Sequence, residues 1–137
     1  MKKHLWQIVA LLAALLTAST ALSQSNGGDF VVDVPFPFIV ADRVLSPGRY
    51  TVTHMGDHVL RIHGSDKRAA LVLTNRVERS AGDNSRKMIF HRYHTVYFLS
   101  EVWDTPESIG RRVPKSRTEE RLADVGADQQ VATLRIQ

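Results

Sequence analysis

Five histidines follow residue 23: His54, His58, His63, His91 and His94. Imidazole binds zinc and copper and titrates near neutral pH, so these residues are the natural place to seek chemistry. His54 and His58 flank Gly56-Asp57, and His91 and His94 stand about a second short turn. Either pair could meet across a hairpin, which makes His54, His58, His91 and His94 weak candidate metal ligands. Neither pair has the four-residue spacing on a helix or the two-residue spacing on a strand that aims two rings at one ion. Solvated histidines at hairpin ends are the favoured reading, and neither a metal nor a cofactor is expected.

Signs of catalysis are thinner. The chain has no G-x-S-x-G, no H-E-x-x-H and no glycine-rich phosphate loop. It has no cysteine, which removes thiol nucleophiles, thiol redox chemistry and Cys-ligated metals. Ser100 and Glu101 fall within a strand-like run, where Glu101 is expected to pair with a basic neighbour. Asp57, Asp66, Asp83 and Asp104 fall in or beside turns, where carboxylates bond local backbone. No catalytic residue is assigned. Arg111, Arg112 and Lys115, with Arg117 and Arg121 beyond, form a basic cluster able to touch an anionic surface. Glu119, Glu120 and Asp124 interleave with it, which favours a solvated helix face.

The first 23 residues explain where such a chain works. Lys2 and Lys3 precede an apolar run over residues 5–16, and Ala21 and Ser23 bracket Leu22. This is the layout of a signal peptide cleaved before Gln24. The run is too short for a transmembrane helix, which needs about 20 apolar residues. Removing two of the 18 basic residues and none of the 14 acidic ones leaves a mature net charge of +2. That weak charge, on an exported chain, makes nucleic acid a poor partner. Without disulfides, an exported domain of this size relies on its apolar core, a metal or a partner.

The elements that would position these residues read as strands. Residues 24–28 form a polar, flexible start, and residues 29–137 one domain. Residues 29–34 place Phe30, Val32 and Val34 on one face. Pro35 and Pro37 mark a sheet edge or bend, with Phe36, Phe38 and Val40 alternating beyond them. Pro47-Gly48 suits the centre of a type II turn. Residues 49–55 and 58–63 form a hairpin. Residues 69–74 are apolar on both faces and read as a central, covered strand. Residues 75–86 read as an exposed polar loop. Residues 87–103 hold two aromatic-rich strands joined at His94-Thr95, the expected centre of the fold. Trp103, Tyr97 and Leu99 share one parity there, and Phe98 and Val102 the other. A polar connection spans residues 104–114. Ser116 and Glu119 stand in capping-box register before a helix over residues 117–125, with Gly126 after it. Leu122 and Val125 are its packing face. Residues 130–136 read as a last strand with Ala132, Leu134 and Ile136 inward, or as an extension of the helix. The class is all-β: a mainly antiparallel meander, sandwich or barrel, with one short C-terminal helix. Strands of six to eight residues fall short of the 9–11 that an outer-membrane barrel needs.

Four pieces carry a resemblance: Pro35-Phe36-Pro37-Phe38; Leu45-x-x-Gly48-x-Tyr50-x-Val52; the run from Tyr97 to Trp103; and Gly110-Arg111-x-x-Pro114-Lys115-Ser116. Together they span about residues 34–122 and resemble small uncharacterised exported β-rich proteins of environmental bacteria. In similar sequences the turn at His94-Thr95 is usually Gly-Asp-like. The resemblance implies a β-rich exported domain and no activity. The expectation is a periplasmic or secreted, non-enzymatic protein that binds a ligand or partner of the cell envelope. The alternatives are a structural or assembly subunit and, further off, a small hydrolase.

Overall fold

The computed structural model describes residues 29–78, 85–104 and 109–136. The expected leader, the residues 24–28 and the segment holding Gly82 and Asp83 lie outside the described residues. Two β-sheets face each other. The first orders its strands β1 (Phe30–Val34), β4 (Gly48–His54), β5 (Val59–Gly64) and β6 (Ala69–Leu73), all antiparallel. The second orders β11 (Gln129–Arg135), β8 (Lys87–Tyr93), β9 (Val96–Trp103), β10 (Ile109–Arg112) and β7 (Asn75–Glu78). A hairpin of β2 (Phe38–Val40) and β3 (Arg43–Leu45) joins this sheet through a parallel pairing of β2 with β9. Helix α1 (Arg117–Asp124) lies between β10 and β11 in the chain. The architecture is a β-sandwich with one short helix.

Alternation drives the assembly, since successive strand residues point to opposite faces. Phe30, Val32 and Val34 are buried while Val31 and Asp33 are exposed. Leu60 and Ile62 on β5 likewise meet Val52 on β4 in the core. Pro35 and Pro37 carry the chain from the first sheet to the second, where their missing N–H groups cost no ladder bond. The phenylalanines between and after them plug the sandwich. Phe38 packs edge-on against Tyr50 at 5.2 Å and Phe90 at 5.7 Å, and Phe36 stacks on Tyr97 at 3.9 Å. Such ring pairs add about 0.5–1.5 kcal/mol each beyond area burial. The last strand is β11, paired along its length with β8, with Ala132 and Leu134 packed on the core.

Several expectations need correction. Residues 69–74 do not form a covered central strand. β6 is the edge of its sheet, and only Ala70 and Val72 turn inward, leaving Leu71 61% and Leu73 69% exposed. Asn75–Glu78 is not loop but β7, and Ile109–Arg112 is β10; the two pair with each other despite their polar sequences. Gly48 opens β4 opposite Val34 instead of centring a turn. Val125 is exposed, and Glu119 is the residue that α1 buries. Parity along β9 breaks at a β-bulge. Ile89 pairs with Glu101 but Phe90 with Leu99, so Ser100 is the extra residue. Leu99 and Val102 therefore share the core, while Phe98 joins Tyr93 outside that main cluster.

Candidate functional site

The bulge organises the densest polar cluster. His91 on β8 pairs with Phe98 on β9. Its Nε2 lies 3.1 Å from Ser100 Oγ and its Nδ1 2.6 Å from Glu119 Oε1. A carboxylate only accepts, so Nδ1 carries the proton, and in the neutral ring Nε2 accepts from the Ser100 hydroxyl. Tyr93 donates to Gln129 Oε1 at 2.8 Å and lies 3.4 Å from Glu119 Oε1. Burial, then the charge and hydrogen bond of Glu119, raise the Tyr93 phenol above its ordinary range. Only half of the expected capping box forms. Ser116 Oγ accepts from the Glu119 N–H at 3.2 Å, but the Glu119 carboxylate turns to His91. Glu119 is 2% exposed, and this network latches α1 onto the second sheet.

Its connectivity is that of a serine–histidine–carboxylate triad. Its setting is not. Ser100 is 6% exposed and stands mid-strand, remote from the turn or helix start that supplies oxyanion donors in acyl transfer. The arrangement suits a satisfied buried network better than a nucleophile.

The other candidates are spread over the fold. His54 bonds Asp104, with both side chains buried, and Asp104 O accepts from Arg86 Nε at 2.7 Å. The pair joins the end of β4 in one sheet to the end of β9 in the other. Asp104 thus serves a distant partner, unlike Asp66, which accepts from the Arg68 N–H as expected of a turn aspartate. His58 and His94 are exposed and join neither pair. Among the described residues no group of three His, Asp or Glu side chains converges on a point. Arg112 is held by Glu101 at 3.0 Å, the partnership expected of Glu101, and Arg111 donates to the Asp57 carbonyl. Lys115 is exposed.

A concave feature lies on the outer face of the first sheet. Arg61 and Leu71 are cross-strand partners there, and Ala69 precedes Leu71 on the same face. Met55, just beyond β4, lies at one end. The β2–β3 hairpin forms a wall, because Arg43 Nη1 donates to the Ala69 carbonyl at 3.0 Å. Ala41 and Asp42, at φ 49° and 60°, make the tight turn of that hairpin. Ala41, Arg43, Met55, Arg61, Ala69 and Leu71 enclose a groove of about 420 Å³. Leu73 extends its apolar floor along β6, beside its half-buried partner Val59.

No family model, curated protein or solved structure matches this chain. No helix among the described residues is long and apolar enough to cross a membrane. Sequence reasoning missed Glu119, Asp104 and the Arg43–Arg61–Leu71 groove. A signal for the last was present: Leu71 and Leu73 form the apolar second face of a strand flanked by charge.

Proposed function

We propose that this chain is an exported, non-enzymatic β-sandwich that binds a ligand of the cell envelope on the outer face of its first sheet. One observation carries the reading: the edge strand β6 turns Leu71 and Leu73 outward beside a formed groove. Large apolar side chains grouped on a surface mark binding sites. The assembly-subunit alternative is less supported, because Arg43 already occupies the Ala69 carbonyl on that edge strand. Export to the periplasm or beyond rests on the leader pattern at Lys2, Lys3 and residues 5–23. Kinship with the exported β-rich group rests on motifs whose aromatic and aliphatic residues are largely buried, so it supports a scaffold. The test is binding of a neutral, environment-sensitive apolar dye. Leu71→Asp and Leu73→Asp should abolish dye binding while preserving the circular dichroism of the wild type. Undiminished dye binding by both folded variants contradicts the reading.

A hydrolase reading has one observation in its favour, the Ser100–His91–Glu119 connectivity. A serine-reactive phosphonate probe separates it. The binding reading requires no labelling of the folded protein, and labelling that disappears in Ser100→Ala would establish the hydrolase instead.

A further inference from the structure

We infer that the groove takes a single-chain anionic amphiphile, a fatty-acid-like carboxylate, with its head at Arg61 and Arg43 and its chain along Leu71 and Met55. This rests on the reading of the first sheet's outer face as the binding face and names the ligand class for it.

The lining has two chemistries in one place. Met55, Ala41, Ala69 and Leu71 supply apolar surface, and Arg43 and Arg61 supply two guanidinium groups. Among the described residues that line it, none is a carboxylate. Asp66, on the loop before β6, is engaged by Arg68 at 3.3 Å, and Asp33 on the same sheet by Arg49 at 3.0 Å. Arg43 spends one donor on Ala69, and a guanidinium offers five. Arg61 stands directly across from Leu71, so a chain lying over Leu71 brings its head to that cation. Guanidinium pairs with carboxylate through two parallel hydrogen bonds, a geometry that a neutral head cannot match.

The shape argues against other occupants. About 420 Å³ lies within the range of small-molecule sites, roughly 300–1,000 Å³. A flat membrane surface needs no such recess. A second copy of the chain would bring Arg43 and Arg61 against the same two cations across a two-fold axis, which like-charge repulsion opposes.

The experiment is calorimetric titration of the folded protein with dodecanoate below its micelle concentration. Dodecyl maltoside is the neutral comparison, and vesicles of anionic phospholipid the third arm. Dodecanoate should bind at one site per chain, about tenfold or more tighter than the neutral amphiphile, as hydrogen bonds to a charged group allow. Arg61→Ala should remove that preference, bringing the two amphiphiles to similar affinity. Leu71→Asp should abolish binding of both. Equal binding of both amphiphiles, with Arg61→Ala silent, overturns the anionic assignment and leaves the binding face standing. Binding of neither overturns the face as well. Binding to vesicles but not to monomeric dodecanoate overturns the single-chain assignment in favour of a lipid surface.

Discussion

Removing His91 should release helix α1 from the sandwich. Glu119 is 2% exposed, and its Oε1 sits 2.6 Å from His91 Nδ1. Deleting the partner of a buried polar group leaves that group desolvated and unpaired, which costs about 1–3 kcal/mol, and more for a charged group. Tyr93 also approaches Glu119, at 3.4 Å, so part of the carboxylate's solvation survives. His91→Leu should therefore cost about 3 kcal/mol, since the group it strands is a carboxylate. Glu119→Leu should cost less, about 1–2 kcal/mol, since it strands only the His91 N–H while Tyr93 keeps Gln129 as acceptor. The double variant His91→Leu/Glu119→Leu leaves no unpaired charge and should lose far less than the sum of the singles. Urea denaturation of the four proteins gives the coupling energy. As a control, Arg112→Ala breaks the more exposed Arg112–Glu101 pair and should cost under about 1 kcal/mol. If both core singles fall within about 0.5 kcal/mol of wild type, the range of ordinary surface changes, then the pair does not latch the helix.

A methyl group at Gly110 would meet the Trp103 ring at 2.5 Å, so Gly110→Ala should displace the indole and cost about 1–3 kcal/mol, with altered tryptophan emission. Phe98→Ala should cost about 3–5 kcal/mol by chemical denaturation, since Phe98 is fully buried against Tyr93. His94→Gly should be neutral or stabilising by up to about 1 kcal/mol in the same assay, because His94 holds φ 55° in its turn. Tyr93 has a raised folded pKa, so it resists ionisation that the unfolded chain undergoes near 10.0. Its contribution is full below that pH and is lost as pH rises through the higher folded value. Tyr93→Phe should therefore flatten the alkaline fall in stability, measured by denaturation at stepped pH.

Much of the sandwich was legible because period-two burial needs only local spacing. The β1 pattern follows from it, and the α1 start at Ser116 was legible from its capping residues. The parity of β9 was not legible. A single extra residue at Ser100 reverses every side chain beyond it, and nothing in the composition of residues 96–103 marks the bulge. β7 and β10 were hidden for a different reason: they are short and rich in polar and charged residues, and β7 gains its ladder from β10 across about thirty residues of chain. The apolar doubling at Ala69–Leu73 was visible, but burial is only one way to use it. Here the second face is left outward. The two histidine–carboxylate pairs join residues far apart in the chain, so spacing rules for metal sites had nothing to act on.

On the proposed function, the outer face of the first sheet is where this protein meets its ligand. Two-dimensional amide NMR of the folded chain, titrated with dodecanoate below its micelle concentration, addresses it residue by residue. Binding at this face should give saturable shifts at Ala41, Arg43, Met55, Arg61, Ala69 and Leu71, with His91 and Ser100 still. Shifts centred on His91, Ser100 and α1, or no saturable shift anywhere, would contradict it.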